Sequence, residues 1–153
     1  MIIICILLPL LVGFLSAYIT KDSYGQYSRI SKPFLSPPAW LFPIVWTVLY
    51  ILMGVGSYYI LQSDAPEAML VLVLYLLQLF LNVIWSPIFF NRKDYKTALL
   101  VLILLWLVVL TMVIVIAMTG ISLVVLVCFL PYLLWCTFAL YLNWQVARSI
   151  KAP

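Results

Sequence analysis

Long stretches without a single charged residue dominate this chain of 153 residues. Its eight Lys and Arg and its four Asp and Glu all fall within four short windows, residues 21–32, 64–67, 92–96 and 148–151. A helix needs roughly 20 apolar residues to cross a hydrocarbon core of ~30 Å. The stretches between the windows are long enough for this, and the last one, residues 97–146, has about twice the length that one span requires. The pattern therefore predicts an integral membrane protein.

The apolar stretches divide into five predicted transmembrane helices. Thr119-Gly120 is a breaker near the middle of the last stretch, which is therefore predicted to fold back as two helices. The predicted spans are residues 2–20, 38–62, 67–90, 95–118 and 121–147. Because the spans and their short connections use nearly the whole chain, a single all-α domain over residues 1–153 is expected.

The sign of the charges predicts the orientation of the bundle. With five spans, every Lys and Arg falls on one face, whereas Asp64, Glu67 and the amino terminus lie on the other. Short cytoplasmic loops are enriched in Lys and Arg. The N-terminus is therefore expected outside and the C-terminus in the cytoplasm, with a bacterial plasma membrane favoured over a mitochondrial outer membrane. The net charge of +4 follows from this topology, which argues against a nucleic-acid partner.

The composition excludes several kinds of chemistry. The chain has no His, so imidazole catalysis, His-ligated haem and most zinc sites are ruled out, and neither a metal nor a required cofactor is expected. Glu67 and Lys96 stand at the ends of predicted spans, and no charged group lies in the interior of one, whereas ion-coupled transporters usually carry such a group near the midplane of the bilayer. Hydroxyl groups in the spans have no base beside them, which disfavours a hydrolase. Recognition of an apolar molecule is the function that remains.

Three predicted spans carry polar or aromatic side chains deep in the bilayer. At ~1.5 Å per residue, Trp46 lies roughly 12 Å, Asn82 roughly 14 Å and Trp135 roughly 20 Å from the cytoplasmic ends of their helices. Asn82 belongs to a stripe with Gln78 and Ser86, because positions i, i+4 and i+8 share one helix face. Indole and amide groups need hydrogen-bond partners at this depth. One shared aromatic cavity would supply them, and helix–helix hydrogen bonding is the alternative for the stripe.

The connection between the first two spans, residues 21–37, is predicted to cover this cavity as a lid. Pro37 and Pro38 force an extended approach to the second helix, and proline suits the first helical turn. Such a loop is stiff, so it could cap a pocket; a plain rigid connection is the alternative. Arg29 and Lys32 lie in the loop and are predicted to meet acidic groups of a ligand at the mouth.

Four groups of motifs follow one another along the chain. They are Pro33 with Pro37-Pro38-Ala39-Trp40; Pro43-Ile44-Val45-Trp46-Thr47-Val48-Leu49-Tyr50 with Met53-Gly54; Asn82 to Phe90; and Pro131-Tyr132-Leu133-Leu134-Trp135 with Phe138-Ala139 and Leu142-Asn143. In this order, and with five spans, they resemble the tryptophan-rich sensory protein family, also called the translocator protein or peripheral benzodiazepine receptor family. The resemblance covers the whole chain.

The resemblance implies a five-helix bundle, often a homodimer, that binds porphyrins such as protoporphyrin IX and, in animals, cholesterol and benzodiazepine-type drugs. Trp46, Asn82 and Trp135 match positions that line the ligand cavity of that family. Trp46 and Trp135 also match a pair linked in bacterial members to light-dependent breakdown of protoporphyrin, and they are the candidates for any catalytic role. The full set of predicted ligand-binding residues is Tyr27, Trp46, Tyr50, Asn82, Trp85, Ser86, Phe89, Trp135, Phe138 and Ala139.

The chain also departs from the family pattern. Gln26, Leu35 and Val83 stand where the family often has Trp, which could weaken the lid or shift the ligand preference. A sterol-type signature near the C-terminus is absent, because the spacing from Tyr141 to Arg148 is too long for it. Three functions therefore remain open: a membrane receptor or carrier for a tetrapyrrole, a light-dependent porphyrin-degrading activity, and a structural or regulatory membrane subunit.

Overall fold

Five helices make up nearly all of the described chain. The computed structural model describes residues 1–27, 36–38 and 40–149, with the side chains of residues 24–27 excepted. The helices are α1 (Ile2–Tyr27), α2 (Leu41–Leu61), α3 (Ala68–Phe90), α4 (Tyr95–Thr119) and α5 (Leu123–Ser149). All five are long and apolar enough to cross a membrane, and the described ranges contain no strand. A helix satisfies its own backbone groups, which hydrocarbon cannot do, so the prediction of an all-α membrane protein is confirmed.

Most helix ends lie within a few residues of the predicted ones, and α1 shows the largest difference. It runs on to Tyr27, so residues 21–27, which were predicted to belong to the loop, are helical. Hydropathy reports only the membrane-embedded part of a helix, and α1 continues beyond that part through the polar residues Lys21, Asp22 and Ser23. The predicted lid lies mainly in residues 28–35, outside the described ranges.

The two helices of the long apolar stretch are separated as the sequence indicated. Asp94 caps the start of α4, where its carboxylate accepts a hydrogen bond from the backbone N–H of Thr97 at 3.1 Å. Gly120 ends α4 with φ 64°, and its N–H donates to the carbonyl of Ile116. A positive φ of this kind favours glycine, so Gly120 lets the chain leave α4 and start α5.

The helices form a ring in the order α1, α2, α5, α4, α3, in which neighbours are in contact and α2 also reaches α3 across the ring. Among the described residues, helix α1 contacts α2 and α3 and neither of the other two helices. In its most apolar window 17% of the residues are buried, against 39% in α2, α3 and α4. The first helix is therefore attached to the bundle along one side only.

One half of the bundle is solidly packed. Four large side chains are almost completely buried in this half or where it meets the other half: Met53 of α2, Tyr75 of α3, and Phe129 and Tyr132 of α5. The ring centroids of Tyr75 and Phe129 lie 6.0 Å apart in an edge-to-face arrangement. Large apolar side chains cover the outside of the bundle, as expected where the surrounding solvent is hydrocarbon.

Candidate functional site

A cavity of about 780 Å³ lies between α1, α2, α3 and α5. It occupies the half of the bundle where α1, α3 and α5 end and α2 begins, and α4 contributes none of the described lining residues. We call this the open half, and the opposite half, around Gly54 and Phe129, the closed half. Small-molecule sites have volumes of about 300–1,000 Å³ and mostly apolar walls. The cavity therefore has the size of a site for one organic ligand.

Seven of the predicted ligand-binding residues line this cavity. They are Trp46 and Tyr50 of α2, Asn82, Trp85 and Ser86 of α3, and Trp135 and Ala139 of α5. The three helices whose deep polar and aromatic residues suggested one shared site thus do meet around a single cavity.

The remaining predicted residues lie elsewhere. The buried ring of Phe89 stacks on Trp85 at 5.2 Å between centroids and meets Tyr95 edge-on at 5.1 Å, away from the lining. The ring of Phe138 packs against Trp135 with centroids 5.7 Å apart, and Phe138 is also not one of the lining residues. Arg29 and Lys32 lie outside the described residues, as does the side chain of Tyr27.

Helix α1 supplies a whole wall that the sequence reading missed. Its lining residues are Leu7, Leu10, Leu11, Gly13, Phe14, Ser16, Ala17, Thr20 and Lys21. Most of them are aliphatic or small, so in the sequence they cannot be told apart from lipid-facing positions. The spacing of Gly13 and Ala17 was the one available signal, since small residues four apart permit close helix approach. Phe42, Pro43, Thr47 and Phe90 complete the lining from α2 and α3.

Trp46 lies at the centre of the aromatic wall. Its ring stacks on Tyr50 with centroids 5.4 Å apart and meets Trp135 nearly at right angles at 6.5 Å. Phe42 approaches Trp135 edge-on at 5.8 Å. Offset and edge-to-face arrangements of this kind are the favourable ones for aromatic pairs. The indole rings are thus held in place by ring contacts on two helices.

A buried chain of hydrogen bonds reaches the cavity at Asn82. The amide N–H of Asn82 donates to the Tyr132 hydroxyl at 3.2 Å, and that hydroxyl donates to Oε1 of Gln78 at 2.7 Å. The amide N–H of Gln78 lies 3.7 Å from Sδ of Met53. The polar stripe on α3 therefore serves both purposes considered for it: Gln78 and Asn82 bind α3 to α5, while Asn82 and Ser86 also face the cavity.

The three indoles that line the cavity differ in their hydrogen bonds. The Trp85 N–H donates to Oδ1 of Asn143 at 3.1 Å, and the Asn143 amide donates to the carbonyl of Tyr95 at 2.9 Å. This pair of bonds joins α3, α4 and α5. Within the described part of the chain, neither Trp46 nor Trp135 donates its N–H to a protein acceptor. Two indole donors thus remain available at the aromatic wall.

Charge is confined to the rim of the cavity. Lys21 is the only charged residue among the described lining positions, and its ammonium lies 4.5 Å from the centroid of the Tyr18 ring. Among the described residues no group of His, Cys, Asp or Glu could hold a metal ion. The site can therefore stack, hydrogen-bond and attract an anion at one edge.

The fold and the site define a class: a multi-pass helical membrane protein with an aromatic cavity inside the bundle. Comparison with known sequences narrows this class. The sequence profile of the TspO/MBR family matches residues 5–148. The chain belongs to that family, as its motifs had indicated.

Relatives occur in bacteria and in animals. The "Tryptophan-rich protein TspO" of Chlorobaculum tepidum is 38% identical over 149 residues, covering 95% of this chain and 92% of the relative. The "Tryptophan-rich sensory protein" of Cereibacter sphaeroides is 36% identical and covers 80% of this chain and 75% of its own. The human "Translocator protein" is 34% identical, over 88% of this chain and 80% of its own.

Proposed function

We propose that this chain is a membrane receptor or carrier that binds a tetrapyrrole of the protoporphyrin IX type in the cavity of the open half. The observation that carries the proposal is the wall formed by Trp46, Tyr50 and Trp135, which offers ring faces and edges to a flat aromatic ligand. The names of the relatives, a sensory protein and a translocator protein, agree with sensing or transport as the role.

The polar groups around the wall fit the chemistry of such a ligand. A metal-free porphyrin has pyrrole N–H donors and nitrogen acceptors at its centre and carboxylates at one edge. Asn82, Ser86 and the two available indole N–H groups can serve the centre. Lys21 at the rim can pair with a carboxylate, and Arg29 and Lys32 are predicted to assist it.

A titration in the dark tests the proposal. Protoporphyrin IX is added to the purified protein in detergent, and Trp fluorescence is followed in the native chain and in the double variant Trp46→Phe/Trp135→Phe. The matched control is Trp40→Phe/Trp144→Phe, since both of these indoles are exposed and neither lines the cavity. We expect saturable one-to-one quenching that weakens by about tenfold in affinity, or ~1.4 kcal/mol, in the cavity variant only.

The opposite result would favour a different function. Quenching that rises linearly, without saturation and equally in all three proteins, would mean that the porphyrin partitions into the detergent micelle. The protein would then be better described as a structural or regulatory membrane subunit, and specific co-purification of a partner would support that description.

Light-dependent consumption of the porphyrin is a second candidate, favoured by the contact between Trp46 and Trp135 in the cavity wall. In this function one electron would pass from one of these indoles to the excited macrocycle, so that the indole is oxidised and the macrocycle is reduced and consumed. Illumination should then remove porphyrin absorbance faster with the native protein than with Trp46→Phe/Trp135→Phe. Equal rates in the two proteins would reject the activity and leave simple binding.

The proposal includes the placement of the protein. The basic residues cluster at the end of the bundle that holds the open half, as where α3 ends and α4 begins, with Arg92, Lys93 and Lys96. By the positive-inside rule this end faces the cytoplasm, with the N-terminus outside. We place the chain in a bacterial plasma membrane as a homodimer. Protease protection of a C-terminal tag in oriented vesicles tests the orientation.

A further inference from the structure

The sides of α1 and α2 that face each other change from buried to exposed along the bundle. On α2 the facing stripe is Pro43, Thr47, Tyr50 and Gly54, spaced so that all four lie on one side of the helix. Gly54 and Tyr50 are buried, whereas Thr47 and Pro43 are exposed. Residues that face a neighbouring helix become exposed only where the two helices are farther apart.

The matching stripe on α1 changes in the same direction. A Cβ added to Gly54 would lie 2.4 Å from Cα of Ile6, so the two backbones are in direct contact at that level. A Cβ on Gly13 would lie 2.3 Å from the Tyr50 ring. Further along, Ala17 and Lys21 are exposed. The two helices therefore touch in the closed half and separate in the open half.

A hydrogen bond joins α1 to the end of α3 on the side where α1 leaves α2. The side-chain amide of Asn91, at the end of α3, donates to the carbonyl of Ile19 at 3.0 Å. This bond holds the last part of α1 against α3. The described residues of α1 and α5 are not in contact. Helix α5 therefore does not close the wedge-shaped gap that opens between α1 and α2.

The wedge leads from the cavity to the outer surface of the bundle. Leu7, Leu11 and Phe14 line the cavity and are nevertheless 49%, 62% and 72% exposed, so the same side chains belong to the wall and to the surface. On the other side, the Thr47 hydroxyl donates to the carbonyl of Pro43 at 2.8 Å. That bond satisfies the hydroxyl internally, so the edge formed by α2 is compatible with lipid.

We propose that this α1–α2 gap, bounded by Leu11 and Phe14 on α1 and by Pro43 and Thr47 on α2, is a lateral opening through which an apolar ligand enters the cavity directly from the bilayer. The proposal rests on the proposed function, because it concerns access to the same site. All four bounding residues lie in apolar spans, where the surrounding phase is hydrocarbon.

The position of the opening also specifies the class of ligand. A molecule that uses it must first dissolve in the membrane, and its flat ring must pass edge-on between two helices. An apolar substituent can stay in the α1–α2 gap, among Leu7, Leu11 and Phe14, after the ring has reached Trp46. An acidic substituent is directed toward Lys21 at the rim. The ligand class is thus a membrane-dissolved aromatic amphiphile with its charge at one edge.

Tethering the two edges together tests the opening. In the double variant Ala17→Cys/Thr47→Cys, in liposomes, a short bifunctional thiol reagent joins α1 to α2 across the gap; the native Cys5, Cys128 and Cys136 are buried. Protoporphyrin IX is used as the probe, and the two single-cysteine variants treated with the same reagent are the controls. We expect tethering to slow association by about tenfold, as when binding requires a blocked conformational step. Ligand loaded before tethering should dissociate more slowly by a similar factor.

A second measurement does not depend on the porphyrin. Acyl chains brominated near the middle quench an indole that they can touch, so the protein is prepared with Trp46 as its only Trp, the other five being Phe. We expect quenching of Trp46 that falls after tethering. A protein that retains only Trp85, on the α3 wall of the cavity, is the comparison and should change less.

The outcomes separate the two proposals. Unchanged association and dissociation after complete tethering, together with unchanged quenching of Trp46, would overturn the lateral opening and leave the loop end as the route of entry. Absence of porphyrin binding in the untethered protein would overturn the proposed ligand. If tethering still reduced the quenching of Trp46 in that case, the opening would stand as a route for another membrane-dissolved molecule.

Discussion

The closed half and the open half are built from the same helices, and they differ in the residues at the helix contacts. In the closed half, Gly54 brings the backbones of α1 and α2 together, and Gly56 makes room for the Phe129 ring, which a Cβ would approach to 2.6 Å. In the open half, the indoles of Trp46, Trp85 and Trp135 stand between the helices. Small residues let helices close in a membrane, whereas large rigid rings hold them apart and leave a cavity of defined shape.

The largest effect should come from adding one methyl group in the closed half. In Gly54→Ala the new Cβ would meet the backbone of Ile6 and of Cys5, at 2.4 Å and 2.8 Å, and backbone atoms cannot turn aside. We expect a loss of about 3 kcal/mol in the free energy of unfolding, the upper part of the range for overpacking. Unfolding in detergent, followed by circular dichroism as the denaturing detergent fraction rises, measures it.

Gly13→Ala is the matched variant at the edge of the open half. The three atoms nearest to its Cβ all belong to the ring of Tyr50, which borders the cavity and can shift into it. The expected loss is about 1 kcal/mol, the lower end of the same range. Equal losses in the two variants would show that the closed half and the open half accommodate an added methyl group equally well, so that the two halves would not differ in packing.

An effect between those of Gly54→Ala and Gly13→Ala is expected where the two halves meet. Tyr132→Phe removes the hydroxyl that joins Asn82 to Gln78, and it leaves two buried amides short of a partner. We expect a loss of about 1–2 kcal/mol, typical of an unsatisfied buried polar group. The same measurement on Tyr75→Phe is the control, because the Tyr75 hydroxyl is buried and makes no hydrogen bond within the described residues. A loss in the control as large as in Tyr132→Phe would mean that the chain of bonds adds little.

The smallest effect is expected at the exposed end of the open half. Hydrogen bonds from the side chain and the backbone N–H of Thr97 hold the pKa of Asp94 below its ordinary value of 3.8. The stability that they contribute is therefore fully present above the ordinary pKa and is lost as the pH falls through the lowered one. Asp94→Ala should lower the thermal midpoint slightly near neutral pH and not at strongly acidic pH. A difference that persists unchanged in acid would show that charge at Asp94 does not matter.

The sequence predicted the spans well because their signal is physical and local. Uncharged stretches of sufficient length must be helical in hydrocarbon, and Gly120 stands where the last stretch folds back. The cavity residues on α2, α3 and α5 could also be predicted, since Trp46, Asn82 and Trp135 are polar or aromatic at a depth where lipid offers no partner. Their chemistry, and the family motifs around them, distinguished them from lipid-facing positions.

The wall from α1 could not be predicted on the same grounds. Leu10, Leu11 and Phe14 would serve equally well against lipid or against a ligand, so nothing in their chemistry marks them as cavity residues. Their placement follows from the position of α1 in the bundle, where it contacts α2 at Gly54 and the end of α3 at Asn91. Phe89 shows the converse: it lies in a family motif, yet the backbone places its ring against Tyr95 instead of the cavity.

Because four helices line one cavity, binding of a ligand in it should change the free energy of unfolding of the protein. A molecule held there contacts α1, α2, α3 and α5 simultaneously, and such an arrangement exists only in the folded bundle. By mass action it raises the free energy of unfolding by RT ln(1 + [L]/Kd), or about 2.7 kcal/mol at a hundred times Kd. The protein therefore reports its own ligand: among membrane extracts or compound collections, the fractions that raise its melting temperature contain the molecules that it recognises.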